Sequence, residues 1–579
     1  MSHREQEWQF TTADLGAVRE WLSGGASRGD MHVEARPAIQ NVDTYYDTPD
    51  WIIHRAGYSL RIRETSSATQ SSDDRAAAIE ITLKSLTDSR GGFADRREIS
   101  EPLSSADVDT VASAHGDICG RVRALAGPRP LTRLFQARTQ RERFVLTPGN
   151  GGRELAQVAL DQTCIDGAKA GAASDAPAKQ LNRVETECLD GPLERLEGWV
   201  AEMRAAGHLE PANTSKFQLG LSTAGLVPAT SARLGPTEIA RSMELTEVAF
   251  AIFRRYLQAL IEHEPGTRLG EQPEELHDMR VAARRLDSAI RLFRNYVPQW
   301  VTRSRTALHR LVRALGAVRD LDVRLARLRT FAADLPQDQR AAVEPLCARL
   351  EHDRRRARAS MLRTLDSVRV QHLLTVWIQN LRKTRRPARR GPAPPPIELA
   401  AYQMIRRRYK KLRKRTDLLT PESTPEEYHA IRSRVKRLRY AAADFEPIYG
   451  KDAGRFARAV GRFQDALGEF QDVQVTKKWF GDIASGRSSQ IPGESLFVMG
   501  RLAERDSDIE KKFRARFSKV YRRVKGRRWK ALRKCMQALA DEVADESADE
   551  SAGESNVQEP SAPTVGPESA SQPPIRGDS

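Results

Sequence analysis

Cysteine is scarce in this chain of 579 residues: the five present, Cys119, Cys164, Cys188, Cys347 and Cys535, are scattered and form no CxxC pair. That excludes a disulfide framework and a zinc site, and leaves each as a small apolar residue. Aromatic residues are thin as well, at 6%, which suits a helix-rich chain better than an all-β one and disfavours a nucleic-acid reader built on base stacking. No apolar run approaches the roughly 20 residues a membrane span needs. The opening MSHREQEWQF has no apolar signal region, so the expectation is a cytoplasmic protein without a membrane part.

Charge is present in abundance and is unevenly spread. Residues 1–221 hold 26 Lys and Arg against 32 Asp and Glu, residues 541–579 hold 1 against 10, and residues 222–540 hold 67 against 35, a net of +32. A cation this concentrated points to a polyanionic partner. The length allows two or three domains, and the local patterns divide the chain accordingly.

Over residues 3–221, short runs alternate apolar and polar: SLRIRET (59–65), IEITLKS (79–85), RERFVLT (141–147), QVALDQT (157–163) and VETECL (184–189). Period two bounded by Gly, Pro, Ser or Asp reads as antiparallel strands. DLGAVREWL (14–22) and LERLEGWVAEMRAAG (193–207) have helical spacing, which makes this an α+β domain. TSSATQSSDD (65–74) and GAKAGAASDAPAK (167–179) read as mobile loops. A linker at 222–236 leads into arginine-rich amphipathic helices over 237–530, split by RRPARRGPAPPP (385–396) into halves of about 237–384 and 397–530. Residues 541–579 are acidic, poor in apolar residues, and read as a disordered, solubilising tail.

The two helical halves are copies of one unit. HDMRVAARRLDSAIRLFR (277–294) aligns with HAIRSRVKRLRYAAADFE (429–446) at an offset of 152, which also carries ALGAVRDLDV (314–323) onto ALGEFQDVQV (466–475). Such a repeat suggests two packed bundles related by a pseudo-twofold axis. At about 100° per residue, positions 0, +3 and +7 fall within roughly 60° on a helix. His277, Arg280 and Arg284 therefore share a stripe that Arg291 extends, and His429, Arg432 and Lys436 repeat it. One such stripe is an ordinary solvated face. Its repetition in register favours a cationic groove for an evenly spaced polyanion, in which Arg grips oxygens, Lys is a point charge and His a pH-sensitive donor.

HDMRVAARRL, LGAVRDLDV, HAIRSRVKRLRY and FRARFSKVYRRVKGRRW (513–529) resemble the CHAD domain, an all-α domain of two four-helix bundles that binds inorganic polyphosphate. The resemblance implies that His277, Arg280, Arg284, His429, Arg432 and Lys436 contact polyphosphate. Arg285, Arg437 and Arg439 lie about 80° off the stripe and are weaker candidates.

In the first domain, charged residues recur at period two on strand after strand. If the antiparallel sheet closes into a barrel, those faces meet in one polar lumen, where basic residues hold phosphates and carboxylates hold a divalent cation. REQEWQF, NVDTYYDTPDWIIHRAGYSLRIRE, EITLK, RRE, VALDQT, NRVETE and NTSKFQLGL are similar to the CYTH, or triphosphate tunnel metalloenzyme, family, and the order CYTH then CHAD matches a bacterial architecture. The likeness implies that Arg61, Arg63, Lys84, Arg96, Arg141 and Arg143 bind triphosphate and that Lys216 closes the tunnel end. Glu5, Glu7, Asp161, Glu185 and Glu187 would hold Mg²⁺ or Mn²⁺, with Glu5, Glu7, Lys84 and Arg96 catalytic. One position departs: Gln9 stands where the family's ExExK signature has lysine, and losing one such charge costs about 10²-fold in rate.

The expected function is a metal-dependent inorganic triphosphatase or short-chain polyphosphatase whose helical domain binds polyphosphate, cytoplasmic and associated with polyphosphate granules. Its alternative is a non-catalytic polyphosphate-binding or granule protein with a degenerate tunnel. Nucleic acid is disfavoured for want of a reading motif. The sequence leaves the oligomeric state open.

Overall fold

The structure is a computed structural model that describes residues 3–24, 27–28, 31–68, 78–87, 89–149, 152–166, 179–228, 234–383, 395–487 and 491–554. Two compact units divide it. One holds residues 1–238, 249–387 and 479–503, and the other residues 239–248, 388–478 and 504–579.

Eight strands of the first unit close into an antiparallel barrel: β1 (His3–Thr11), β2 (Met31–Asp47), β3 (Tyr58–Ser67), β4 (Ala78–Ser85), β5 (Phe93–Pro102), β6 (Thr132–Pro148), β7 (Ala156–Asp166) and β8 (Lys179–Cys188). Their order is β1-β5-β4-β3-β2-β6-β7-β8, and pairing of β8 with β1, from Gln6 opposite Cys188 to Thr11 opposite Arg183, closes the ring. Closure leaves no open edge. Two-residue strands Ser27–Arg28 and Glu210–Pro211 add to β2 and β1.

The alternation of each strand is turned inside out relative to a water-soluble sandwich: charged residues point to the lumen and apolar ones outward, under helices. Helices α1 (Gly16–Ser23) and α3 (Leu193–Ala206) cover one side, where Val18, Leu22, Leu196 and Met203 pack on Phe144, Leu146 and Val158. Helix α2 (Asp117–Ala126) covers another, with Ile118, Val122 and Leu125 on Leu60, Ile81 and Leu83. A further helix, α4 (Lys216–Thr223), starts with a capping box in which Ser215 accepts from the Gln218 amide. It lies so close to β6 that a Cβ at Gly220 would clash with the Phe135 ring.

The strands expected from alternation are present. Strands β2 and β6, at 17 residues each, run much further than the alternating runs within them, and α2 is a helix the sequence pattern did not single out. Of the two expected loops, residues 65–67 and 179 belong to strand ends, and 69–74 and 167–178 lie outside the described residues.

In the helical region, the first half has α5 (Leu245–Glu262), α6 (Glu264–Leu269), α7 (Pro273–Phe293), α8 (Arg305–Ala333), α9 (Glu344–Asp366) and α10 (Val368–Arg382). Its second half repeats the long ones as α11 (Ile397–Thr416), α12 (Pro425–Asp444), α13 (Glu446–Asp482, interrupted at Gly450), α14 (Gly493–Lys525) and α15 (Arg527–Glu554). Helix α12 starts at the same offset of 152 from α7 that the sequences showed. The expected disordered tail needs correction at its start: α15 continues helical through Glu554, because KALRKCMQALADEVA keeps an apolar face on which Leu532, Met536 and Ala540 are buried. Residues 555–579 lie outside the described residues. None of the described helices is long and apolar enough to cross a membrane.

Candidate functional site

Because period-two side chains share one face of a strand, the lumen gathers Arg61 and Arg63 from β3, Lys84 from β4, Arg96 and Glu98 from β5, Arg141 from β6, Glu185 and Glu187 from β8, and Glu5 and Gln9 from β1. With the first turn of α4, which brings in Lys216, they line a cavity of about 390 Å³. Six of the seven cations expected to bind triphosphate reach it.

The charges are mutually neutralised in two groups. In one, the Lys84 ammonium lies 3.1 Å from Glu7 Oε1 and 3.1 Å from Glu98 Oε2, and also pairs with Glu5. Arg61 reaches Glu98 at 3.2 Å, and Arg96 stands 3.7 Å from Glu7 while donating Nε to the Thr87 carbonyl at 3.1 Å. In the other, Arg141 grips Asp161 with two hydrogen bonds of 2.7 Å and reaches Glu185 at 2.6 Å. Lys216 pairs with Asp161 and lies 2.9 Å from Glu185. Beside them Arg63 forks onto Asp43 at 2.7 and 2.8 Å.

These pairings set the protonation states. Burial pushes the Glu5 carboxyl up to about 8 against the pull of Lys84, with repulsion from Glu7 and Glu98 adding to it. Burial would also raise Glu98, but Lys84 and Arg61 outweigh it and hold this carboxyl at about 2. Asp43 stays well below the usual carboxylate range in spite of its burial, because Arg63 and Arg61 face it. The lumen thus holds a proton on Glu5 beside an ionised Glu98 at neutral pH.

Several expected site residues are placed differently. Arg143 does not line the cavity: it donates to the Pro37 carbonyl at 2.9 and 3.1 Å, where β2 bulges between Arg36 and Ile39. A proline inside a strand breaks the ladder there, and the arginine follows the displaced carbonyl. Asp161 is 0% exposed and sealed behind Arg141 and Lys216, and Glu7 is 3% exposed behind Lys84 and Gln9. The five carboxylates expected around a metal are therefore split. Among the described residues no group of three or more His, Cys, Asp or Glu stands ready to hold one, so the donor set as arranged does not fit a resident divalent cation.

Two lumen residues were missed, Asp43 and Arg183, while Glu98 is legible from the period-two spacing that puts it on the same strand face as Arg96. Asp43 is register-paired with Arg63 and lies in DTYYD, a motif visible in the sequence. Arg183, two residues before Glu185, is 2% exposed and donates Nη2 to the Thr214 carbonyl at 2.7 Å, while its Nε and Nη1 have no hydrogen-bond partner among the described residues. Gln9 donates to Glu7 Oε1 at 2.8 Å.

In the helical region the duplicated stripes hold their positions half by half. Arg280 runs along Gly316, where a Cβ would stand 3.6 Å from its Nε, and pairs with Asp320 at 2.9 Å. In the second half Arg432 runs along Gly468, the residue equivalent to Gly316. His277 is largely exposed, and the partial desolvation of its ring together with the charge of Arg319 lowers its pKa. His429 instead bonds Gln471, which replaces Arg319, through Nδ1 at 2.8 Å. Arg284 and Lys436 are half-buried on the same helices. Arg291 shares Asp287 with Arg305. Of the off-stripe residues, Arg285 lies over the Tyr256 ring at 5.7 Å and Arg439 along Gly461.

Comparison with known proteins finds a CYTH domain model matching residues 31–219 and a CHAD domain model matching residues 251–481. Two uncharacterized proteins of Mycobacterium tuberculosis, from strains CDC 1551 and H37Rv, are each 26% identical over 514 residues, covering 85% of this chain and 91% of theirs. Among solved structures, the CHAD domain from the plant Ricinus communis is 22% identical, with a TM-score of 0.36, covering 52% of this chain and 96% of its own. A putative adenylyl cyclase from Hippeastrum, described as having a dominant triphosphatase activity, is 16% identical, with a TM-score of 0.26, covering 38% and 97%.

Proposed function

We propose, from the premise that this chain is a CYTH domain followed by a CHAD domain, that its barrel binds and hydrolyses inorganic triphosphate or short polyphosphate ends. The helical domain would hold the long polymer. One observation supports this most: Arg61, Arg63, Lys84, Arg96, Arg141 and Lys216 converge on one cavity of about 390 Å³. A protein interior of low dielectric strengthens charge interactions, and a chain of phosphates offers the repeated oxyanions that six converging cations complement.

The CYTH likeness implies dependence on Mg²⁺ or Mn²⁺ through Glu5 and Glu7, a pair of carboxylates that Lys84 occupies in the structure. On the helices, His277, Arg280, Arg284 and Arg291, with His429, Arg432 and Lys436, are the polyphosphate contacts, and binding there should weaken steeply with salt. Association with polyphosphate granules in the cytoplasm would follow from that affinity.

Phosphate release by the full chain from triphosphate, ATP, thiamine triphosphate and polyphosphate, each with Mg²⁺ or Mn²⁺, tests the reading. Triphosphate should be turned over fastest; release from ATP or thiamine triphosphate exceeding it would contradict the substrate class. Gln9 favours a second reading, a tunnel that binds without turnover, since glutamine donates a hydrogen bond but no charge. On that reading Gln9→Lys raises phosphate release from near zero, whereas an active tunnel releases phosphate without the change.

A further inference from the structure

Strands β1 and β8, whose pairing closes the barrel, turn four carboxylates inward: Glu5, Glu7, Glu185 and Glu187. Among the described residues they bury a single Lys or Arg, Arg183. We infer that Arg183 is the fixed cation that lets this acidic seam accept a phosphate chain, supplying from behind the cavity lining the charge that the amide of Gln9 does not. The inference rests on the triphosphate reading of the tunnel and adds to it a positioning residue that does not itself touch the phosphates.

Gln9 pairs with Glu185 and Thr11 with Arg183 across the seam. Period two therefore sets Gln9 and Arg183 on the same lumen face as diagonal neighbours, about 7–8 Å apart. Arg183 is 2% exposed and Gln9 4%. The guanidinium is held at one nitrogen only: Nη2 donates at 2.7 Å to the carbonyl of Thr214, in the loop that leads to Lys216. Arg183 Nε and Nη1, and the Gln9 Oε1 acceptor, are buried with no hydrogen-bond partner among the described residues. Burial lowers the pKa of this guanidinium against the pull of Glu185, Glu7 and Asp161. Packing alone does not account for so costly a group, since an apolar side chain of similar volume fills a buried space at least as well.

The residues around Arg183 do line the cavity: Gln9, Arg96, Glu185, Ser215 and Lys216. Its field reaches the cavity across side chains rather than across water, and in such a medium a charge acts over several ångströms. Each seam carboxylate repels an approaching phosphate oxygen, and Arg183 offsets that repulsion without leaving Thr214. Gln9, which donates to Glu7, adds a hydrogen bond there but no charge, so the sign of the field along the seam depends on Arg183.

The test titrates the non-hydrolysable imidotriphosphate into the full-length protein by calorimetry, with an Arg61→Gln, Arg63→Gln variant marking whatever binds outside the tunnel. Removing one unit charge from such surroundings changes affinity by about tenfold or more. Arg183→Gln should therefore bind in the tunnel at least about tenfold more weakly than wild type, and Arg183→Lys, which keeps the charge, should stay close to wild type. Gln9→Lys placed in the Arg183→Gln background should restore most of the affinity, whereas Gln9→Lys alone should add little. Damage from losing the Thr214 hydrogen bond would not be repaired by a lysine on another strand. Undiminished binding by Arg183→Gln, a double variant as weak as Arg183→Gln, or equal gains from Gln9→Lys in both backgrounds overturns the inference and leaves the triphosphate reading standing. Wild type binding no better than the Arg61→Gln, Arg63→Gln variant overturns that reading and this inference with it.

Discussion

Glu5 shows how far a single side chain depends on partners that its own sequence position does not reveal. Alternation in REQEWQF was enough to place Glu5 and Glu7 on one strand face, but the three-way meeting with Lys84 and Glu98 depends on register across β4, β5 and β1, which no local pattern carries. The consequence is a pH dependence of definite sign. Glu5 is held at about 8 in the folded protein, above its ordinary value of 4.5, so the folded state keeps a proton that the unfolded chain releases. That contribution is fully present below about pH 4.5 and is lost as pH rises through about 8. The melting temperature of the metal-free chain should fall between about pH 5 and pH 9, and Glu5→Gln should flatten that slope relative to wild type. An equal slope in the variant would show that the proton resides elsewhere. Arg143 makes the complementary point: its period-two spacing from Arg141 is sound, yet a proline-bearing bulge on the neighbouring strand turns it away from the lumen.

Elements were legible in proportion to how regular their pattern is. Strands with strict alternation and the arginine-rich helices were readable, because burial on one face imposes the period. Half of β2 was not, since Met31–Asp47 carries charged and polar residues on both faces before it enters the barrel core. The start of the acidic tail was misread because charge outweighed the apolar stripe that still anchors α15. Helix α4 is the element on which the tunnel end depends: it presents Lys216, and Gly220 gives it the clearance to sit on Phe135. Gly220→Ala should lift that helix. Overpacking of this kind costs about 1–3 kcal/mol, and the variant should show a lower melting temperature and a higher KM for triphosphate. A wild-type KM would mean that Lys216 is held without the helix contact. On α8, Gly316→Leu should displace Arg280 and weaken polyphosphate binding several-fold, measured by fluorescence anisotropy, while leaving triphosphate turnover unchanged.

At the scale of the whole molecule, the barrel and most of the first helical half, from residue 249 on, belong to one compact unit, which the linker-like sequence at 222–236 did not suggest. Their junction is ionic and buried. Glu264 at the start of α6 accepts from Arg129 of the barrel domain at 2.7 Å and from Arg268 at 2.8 Å; Arg268 is 0% exposed, pairs with Asp366 at 2.9 Å and donates to the Ala124 carbonyl at 3.1 Å. Burial opposes the ionisation of Glu264, yet Arg129 and Arg268 hold its carboxyl at about 2. Removing one partner of such a cluster leaves buried charge uncompensated, at a cost of about 3–5 kcal/mol. Glu264→Gln should therefore lower the melting temperature of barrel and first half together, and the isolated 1–221 fragment should unfold more readily than the same residues in the full chain, measured by urea titration. Equal stability of the fragment would mean that the junction is incidental.

The central proposal is a barrel whose inward charges process a phosphate chain. Its most direct test is phosphate release from inorganic triphosphate by the full-length protein with Mg²⁺ or Mn²⁺, compared with the Glu5→Gln, Glu7→Gln double variant at matched folding. We predict release by the wild type and its loss, by about 10²-fold or more, in the variant. Equal release from the two proteins, or none from either, would contradict it.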